Sequence, residues 1–361
     1  MRSAPRLLTV LLAASVLSAP ALVNADSALV TKSGTLYEVF RTSYGEVIPG
    51  APAADARMPI VALRRTQAGT GTTTLEIVRG TDDASEKGEP SIEYEETTGT
   101  AFVVYTKFHG LMSELRVAVR RNDQWVEQDI LPNRGLYLSV NPQTIVTRQR
   151  YVDFDGKGGT VPKMRSILHL VWWEESGALS QARYAAAFVE DGVLRLDSIK
   201  PENLNEVAGA QGPTPTNGLP FSAYQFPAIE RDPITNGGVV AAFANLFTKK
   251  YSVVRISFPD DITKMVPNGV TIGNSEAYAR LHRPVGRTVT DTRIPEFDTP
   301  EPVGTVIGLE GQLTFYWVQK KSVWFVNGDA PEKTSPTSLA VRPDFPVERA
   351  LAVVREMARK N

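Results

Sequence analysis

Ala101-Phe-Val-Val-Tyr105 and Ser113-Glu-Leu-Arg-Val-Ala-Val119 are two apolar-rich runs separated by a seven-residue connector. Sixty-seven positions later stand Leu168-His-Leu-Val-Trp172 and Ser180-Gln-Ala-Arg-Tyr-Ala-Ala186, with the same gap. Tyr105 maps on Trp172, Ser113 on Ser180 and Arg116 on Arg183 without an insertion. Val239-Val-Ala-Ala-Phe243 with Ser252-Val-Val-Arg255 is a third copy, one residue longer in the connector. Leu313-Thr-Phe-Tyr-Trp317 with Ser322-Val-Trp-Phe325 is a shorter fourth. Short runs rich in β-branched and aromatic residues, bounded by turns such as Thr98-Gly99 and Asn236-Gly237-Gly238, read as strands. Their recurrence describes one supersecondary unit stacked on copies of itself.

Each copy opens on a proline. Pro90 lies 15 residues before Tyr105, Pro227 16 before Phe243 and Pro302 15 before Trp317. Pro142 stands 30 before Trp172, because a polar stretch around Asp153–Lys163 is inserted there. Pro59-Ile-Val-Ala-Leu63 begins the same way. Proline suits the first residue of a strand, where the ladder has not begun. Repeated units of three or four strands predict an all-β chain, a β-propeller of about five or six blades over residues 26–346. A pair of β-sandwiches is the competing arrangement. The segment Gly209–Pro220 reads as a loop between units. Residues 347–361 carry apolar side chains at helical spacing and read as a short C-terminal helix.

The N-terminus carries an address. Arg2 and Arg6 precede an apolar run from Leu7 to Leu17, too short for a span, and Val23-Asn24-Ala25 is an acceptable cleavage site. Residues 1–25 therefore read as a signal peptide, and the chain as secreted or periplasmic. Its removal takes away two arginines and no acid.

Composition excludes several functions. The 361 residues hold 39 basic and 40 acidic side chains, a balance that speaks against a general nucleic-acid binder. The chain has no cysteine, which excludes disulfides, thiolate zinc sites, iron–sulfur clusters and a cysteine nucleophile. No later apolar run approaches membrane-spanning length. No cofactor is called for.

Ala56-Arg57-Met58-Pro59-Ile60-Val61-Ala62-Leu63, followed by Gly71 to Val78, resembles the arginine–isoleucine–proline opening of the sialidases and its next strand. The resemblance implies a propeller in which Arg57 binds a substrate carboxylate. It also implies an acid/base aspartate about 25 residues on, where Asp82 and Asp83 stand. The Asp-box turns of that family are not intact here. Arg121-Asn122-Asp123-Gln124-Trp125 occupies the corresponding place without the serine and glycine, and Asp191-Gly192 and Asp260-Asp261 occupy similar turns. No motif marks the family's tyrosine nucleophile, its partner glutamate or its other arginines. The alternative for Arg57 is an ordinary strand-entrance arginine, and for Asp82 and Asp83 a solvated turn.

Asp153-Phe-Asp155-Gly156-Lys157-Gly158-Gly159 has the alternate carboxylates of a calcium loop, but Lys157 replaces the third acid and Met164 the closing glutamate. A hairpin tip explains the same residues. His109, His169 and His282 are too far apart in sequence for a His-x-x-x-His metal pair and read as structural. Arg116, Arg183 and Arg255 recur in the repeat and read as the polar face of half-exposed strands. The expected function is a non-catalytic exported propeller that binds a glycan, peptide or protein through its loops, with a sialidase-like glycoside hydrolase as the alternative.

Overall fold

The computed structural model describes residues 26–110, 112–129, 138–176, 179–195, 202–203, 224–232, 234–245, 250–266, 282–293, 303–307, 313–319, 322–327 and 337–340. The signal-peptide and C-terminal-helix readings lie outside them. The chain is all-β, a β-propeller. Its first sheet is β1 (Ser27–Val30), β2 (Thr35–Ser43), β3 (Pro59–Gln67) and β4 (Thr73–Ile77). The second is β5 (Ser91–Glu95), β6 (Thr100–His109), β7 (Met112–Arg121) and β8 (Gln124–Asp129). The third is β9 (Leu138–Phe154), β10 (Thr160–Ser176), β11 (Leu179–Glu190) and β12 (Val193–Arg195), with β13 (Glu202–Asn203) also on β11. The fourth is β14 (Tyr224–Arg231), β15 (Val239–Asn245), β16 (Lys250–Ser257) and β17 (Val285–Arg293). The fifth is β18 (Val303–Ile307), β19 (Leu313–Gln319), β20 (Ser322–Asn327) and β21 (Thr337–Ala340).

Within each sheet the strands pair in sequence order, antiparallel to their neighbours, except that β13 pairs with β11. The first strands of successive sheets lie side by side: β1 on β5, β5 on β9, β9 on β14 and β14 on β18. They form the inner lining of the propeller.

The apolar core fills the spaces between blades. Val103 and Tyr105 face the first sheet, where Val39, Val61 and Leu63 meet them. Phe102 and Val104 turn the other way, onto Leu168, Leu170 and Trp172 of the third sheet. Ile167 and Val171 then face Ile229, Val239 and Ala241 of the fourth. A strand packed on both faces needs apolar residues at consecutive positions, which is why these runs do not alternate.

The repeat aligns equivalent strands. Tyr105, Trp172, Phe243 and Trp317 all lie on the second strand of their sheets. Tyr105 and Trp172 are both fully buried, each against the preceding blade. Tyr105 pairs with Arg116 and Trp172 with Arg183, as the alignment requires. Arg255 departs from it: Phe243 pairs with Ser252, and Arg255 with Val240. The third copy thus shares strands with the others but not that arginine position.

Pro90 stands immediately before β5, at strand entry, but Pro142 and Pro227 have a more specific role. The pairing of β9 with β10 is irregular where Asn141-Pro142 stand opposite Trp172, and Asn141 adopts φ 51°. The pairing of β14 with β15 shifts at Phe226-Pro227, opposite Phe243. Proline is tolerated at such bulges because its nitrogen has no ladder bond to lose. Pro59 is different. It opens the third strand of the first sheet, not a first strand.

Candidate functional site

Arg57 is exposed on the turn before β3, two strands away from the inner lining, and has no ion-pair partner among the described residues. Asp82 is likewise exposed, in the segment between β4 and β5. Asp83 is committed. Its carboxylate receives Lys87 Nζ at 2.6 Å, the ammonium of Lys107, and the backbone N–H of Ser85 at 3.0 Å. Partial burial would raise its pKa, but the bonds from Lys107 and Lys87 outweigh that and hold it far below the usual carboxylate range. Two ammonium groups and a backbone N–H thus stabilise the ionised form of Asp83, whereas a general acid needs its protonated form favoured.

A tyrosine–carboxylate pair does occur nearby. Tyr105 donates its hydroxyl to Glu127 Oε1 at 2.8 Å. Burial, reinforced by that bond, pushes the phenol's pKa up. The ring is fully buried, so the pair lies inside the boundary between the first two blades.

Among the described residues, the inner strands β1, β5 and β9 are tied together by their own side chains. Ser27 Oγ accepts from Ile92 N–H at 3.3 Å, tying β1 to β5. Ser91 Oγ accepts from Thr144 N–H at 3.1 Å, and Glu93 Oε2 from Val146 N–H at 3.2 Å, tying β5 to β9. These polar residues are buried because they satisfy backbone donors on the neighbouring blade. Beside them, between β1, β5, β9 and β14, lies a small pocket of about 20 Å³. That holds one or two water molecules.

The calcium-loop segment forms the tip of the β9–β10 hairpin. Asp155 accepts from Lys157 N–H at 2.7 Å and Gly159 N–H at 2.9 Å, the bonds of a capped turn. Asp153 is buried and bonded to Lys163 Nζ at 2.7 Å. Both carboxylates are therefore engaged in holding the hairpin. No group of three or more acidic or histidine side chains is arranged to hold a metal among the described residues.

Two of the degenerate Asp-box segments are hairpin turns between third and fourth strands. Asn122 and Asp123 have φ 49° and 61°, and Asp191 and Gly192 have 49° and 76°, the sign that a two-residue type I′ loop requires. Asp123 also pairs with Arg120 at 2.7 Å.

A polar cluster that the sequence did not foretell joins the third and fourth blades. Thr147 Oγ1 donates to Gly237 O at 2.8 Å and so must accept from His169 Nε2, also at 2.8 Å. Beside it, Arg165 donates Nε and Nη2 to Gln149 Oε1 at 2.8 and 2.6 Å, and Nη1 to His282 Nδ1 at 2.7 Å. Its guanidinium lies 4.3 Å from the ring centres of Tyr151 and Phe188. Gln149 Nε2 in turn reaches Phe258 O at 3.0 Å. Gly237 adopts φ 70°, and a Cβ there would collide with Gln149. Of this cluster, the Asn236-Gly237-Gly238 turn and the structural reading of His169 and His282 were legible beforehand, but not their partners.

No family model and no curated protein matches the chain. Among solved structures it is similar to a calcium-binding protein, regucalcin, from Agrobacterium tumefaciens, at 11% identity and TM-score 0.39, over 89% of this chain and 76% of that one. It is similar to an endo-arabinase from Bacteroides thetaiotaomicron at 14% identity and TM-score 0.36, over 89% and 95%. It is also similar to an α-L-arabinofuranosidase from Clostridium thermocellum at 14% identity and TM-score 0.35, over 88% and 93%.

Proposed function

We propose that this chain is an exported, non-catalytic β-propeller that binds a glycan or polypeptide partner through its loops. The observation that carries this reading is the described inner lining, where the buried Ser27, Ser91 and Glu93 side chains are spent on backbone N–H groups of the neighbouring blade rather than left free for a ligand. The resemblance to sialidases then reflects shared architecture, and loops on a rigid scaffold are where binding residues concentrate.

The second reading is a sialidase-like glycoside hydrolase with Arg57 on the substrate carboxylate and Asp82 or Asp83 as acid/base. Its supporting observation is the Tyr105–Glu127 pair, since a tyrosine beside a carboxylate is what such a nucleophile requires. Against it stand the complete burial of Tyr105 and the two lysines on Asp83. The deciding experiment is release of a fluorogenic aglycone from a sialoside by the purified chain lacking residues 1–25. Turnover lost in Arg57→Ala would establish the hydrolase and overturn the binding reading. Absence of turnover in the parent is the expected result.

A further inference from the structure

The β9–β10 hairpin is longer than the blade that carries it. Both strands run for 17 residues, and β11 leaves β10 at the Ser166–Val189 pair. Beyond that pair, residues 149–154 and 160–165 form a two-stranded arm. An isolated ribbon is marginal in water, so one face must be covered. The covered face carries Gln149, Asp153 and Arg165, all buried, and the Gln149–Arg165 cross-strand pair fastens it to the fourth blade.

The opposite face follows from the two-residue period. Arg150 is exposed there, and Arg148, opposite Ser166 at the base of the arm, is exposed on the same face; neither has an ion-pair partner among the described residues. Met164 pairs across from Arg150 and is 54% exposed, and the exposed Pro162 follows on the same face. A methionine in water between guanidinium groups contributes little to stability, yet both residue types are enriched at protein interfaces.

We propose that this outer face docks an acidic polypeptide segment bearing an apolar side chain, the carboxylates meeting Arg148 and Arg150 and the apolar group covering Met164. The inference rests on the partner-binding reading above and names the partner's chemistry. Charge complementarity favours this occupant, because two unpaired guanidinium groups repel cations and match carboxylates in paired geometry. A membrane surface is disfavoured, since lipid recognition takes clusters of about four to eight basic residues.

Docking uses the face and not the strand edge. Val152 donates its N–H to Asp260 O at 2.8 Å, away from β10. The Val152–Pro162 pair is therefore a non-hydrogen-bonded one, and Pro162 turns its backbone to the open edge. A proline there offers no N–H to an incoming strand.

The test is fluorescence anisotropy with a short labelled peptide of glutamate with interspersed leucine, against the same peptide with lysine for glutamate. The parent should bind the acidic peptide alone, and Arg148→Glu/Arg150→Glu should weaken it about tenfold or more, the effect of about 1.4 kcal/mol. Arg148→Lys/Arg150→Lys should retain most of the affinity, and Met164→Ser should lose a few-fold. Lys32→Glu/Arg79→Glu, two exposed cations of the first sheet and the segment after it, should bind like the parent. The proposal falls if the parent does not bind the acidic peptide, if the two double reversals weaken it equally, or if vesicles containing anionic phosphatidylserine bind while the peptide does not. All variants are at exposed positions, so unchanged thermal melts separate lost binding from lost folding. The sialoside assay reports on the partner-binding reading independently, since turnover would overturn that reading whatever the peptide does.

Discussion

The hydroxyl of Tyr184 lies 2.9 Å from Nδ1 of His169, and the bond has only one direction. Nε2 of the same ring must donate to Thr147, whose own proton is given to Gly237 O. His169 is thus the neutral Nε2–H tautomer, and Tyr184 is the donor. Complete burial, helped by the charges of Arg231 and Arg165, pushes the imidazole pKa down to about 3. His282, which accepts from Arg165, is pushed down to about 4, by burial first and then by the same arginine.

Acid should therefore weaken the fold before most carboxylates titrate. A histidine whose folded pKa is depressed gains a proton more readily when unfolded, so stability is full above about pH 6.5 and lost as pH falls below it. With both rings still neutral in the folded protein at pH 5, the loss should approach about 2 kcal/mol per pH unit between pH 6 and 5. Denaturant melts across that interval measure it, and His169→Gln should remove roughly half of the slope. A flat profile in the parent would show that the rings are not held neutral.

Trp172→Ala should destabilise the protein by about 3–5 kcal/mol, through lost burial and the cavity left behind. Trp173, on the other pleat face and only partly buried, should cost clearly less on the same substitution. Chemical denaturation of the two variants gives the comparison, and equal losses would contradict the observed pleat.

Asp83→Asn should cost about 1–2 kcal/mol, discounted because Asp83 is partly exposed. The loss arises at Lys87, whose buried ammonium would keep only the carbonyls of Asp83 and Ser85. Differential scanning calorimetry at neutral pH checks it; stability equal to the parent would mean the ion pair contributes nothing net.

Gly80→Ala should be among the more damaging small substitutions, by about 2 kcal/mol. Gly80 has φ 83°, and an added Cβ would run into the carboxyl group of Glu127. That displaces the acceptor of the Tyr105 hydroxyl. A melt that matches the parent would show that the loop relaxes without cost.

The blades were legible because their cores are written in consecutive apolar runs, and Tyr105 and Trp172 announced one another across 67 residues. The first sheet was harder. Thr35–Ser43 sets Glu38 between apolar pairs, and the fully buried Glu38 is met by Arg64 from β3 at 2.8 Å. No short-range pattern encodes that pairing. Pro59 looked like the other prolines because residue type does not reveal which strand of a sheet a segment becomes. Arg57 stood in a motif, but only coordinates could tell that its turn precedes the third strand. The Arg165 cluster draws on residues from β9 to His282, so it had no local signature at all.

Pairing of the blade strands with their sequence neighbours has a consequence for how the chain acquires this shape. Each hairpin closes over a short stretch, so a sheet can assemble without waiting for distant partners. The bonds from Gln149 to Phe258, Pro259 and Asp260 span 109, 110 and 111 residues and close only once the fourth blade exists. Loop-closure entropy then places the fastening of the β9–β10 arm late. A refolding chain should accordingly show native-like strand content before His169 and Arg165 are shielded from water.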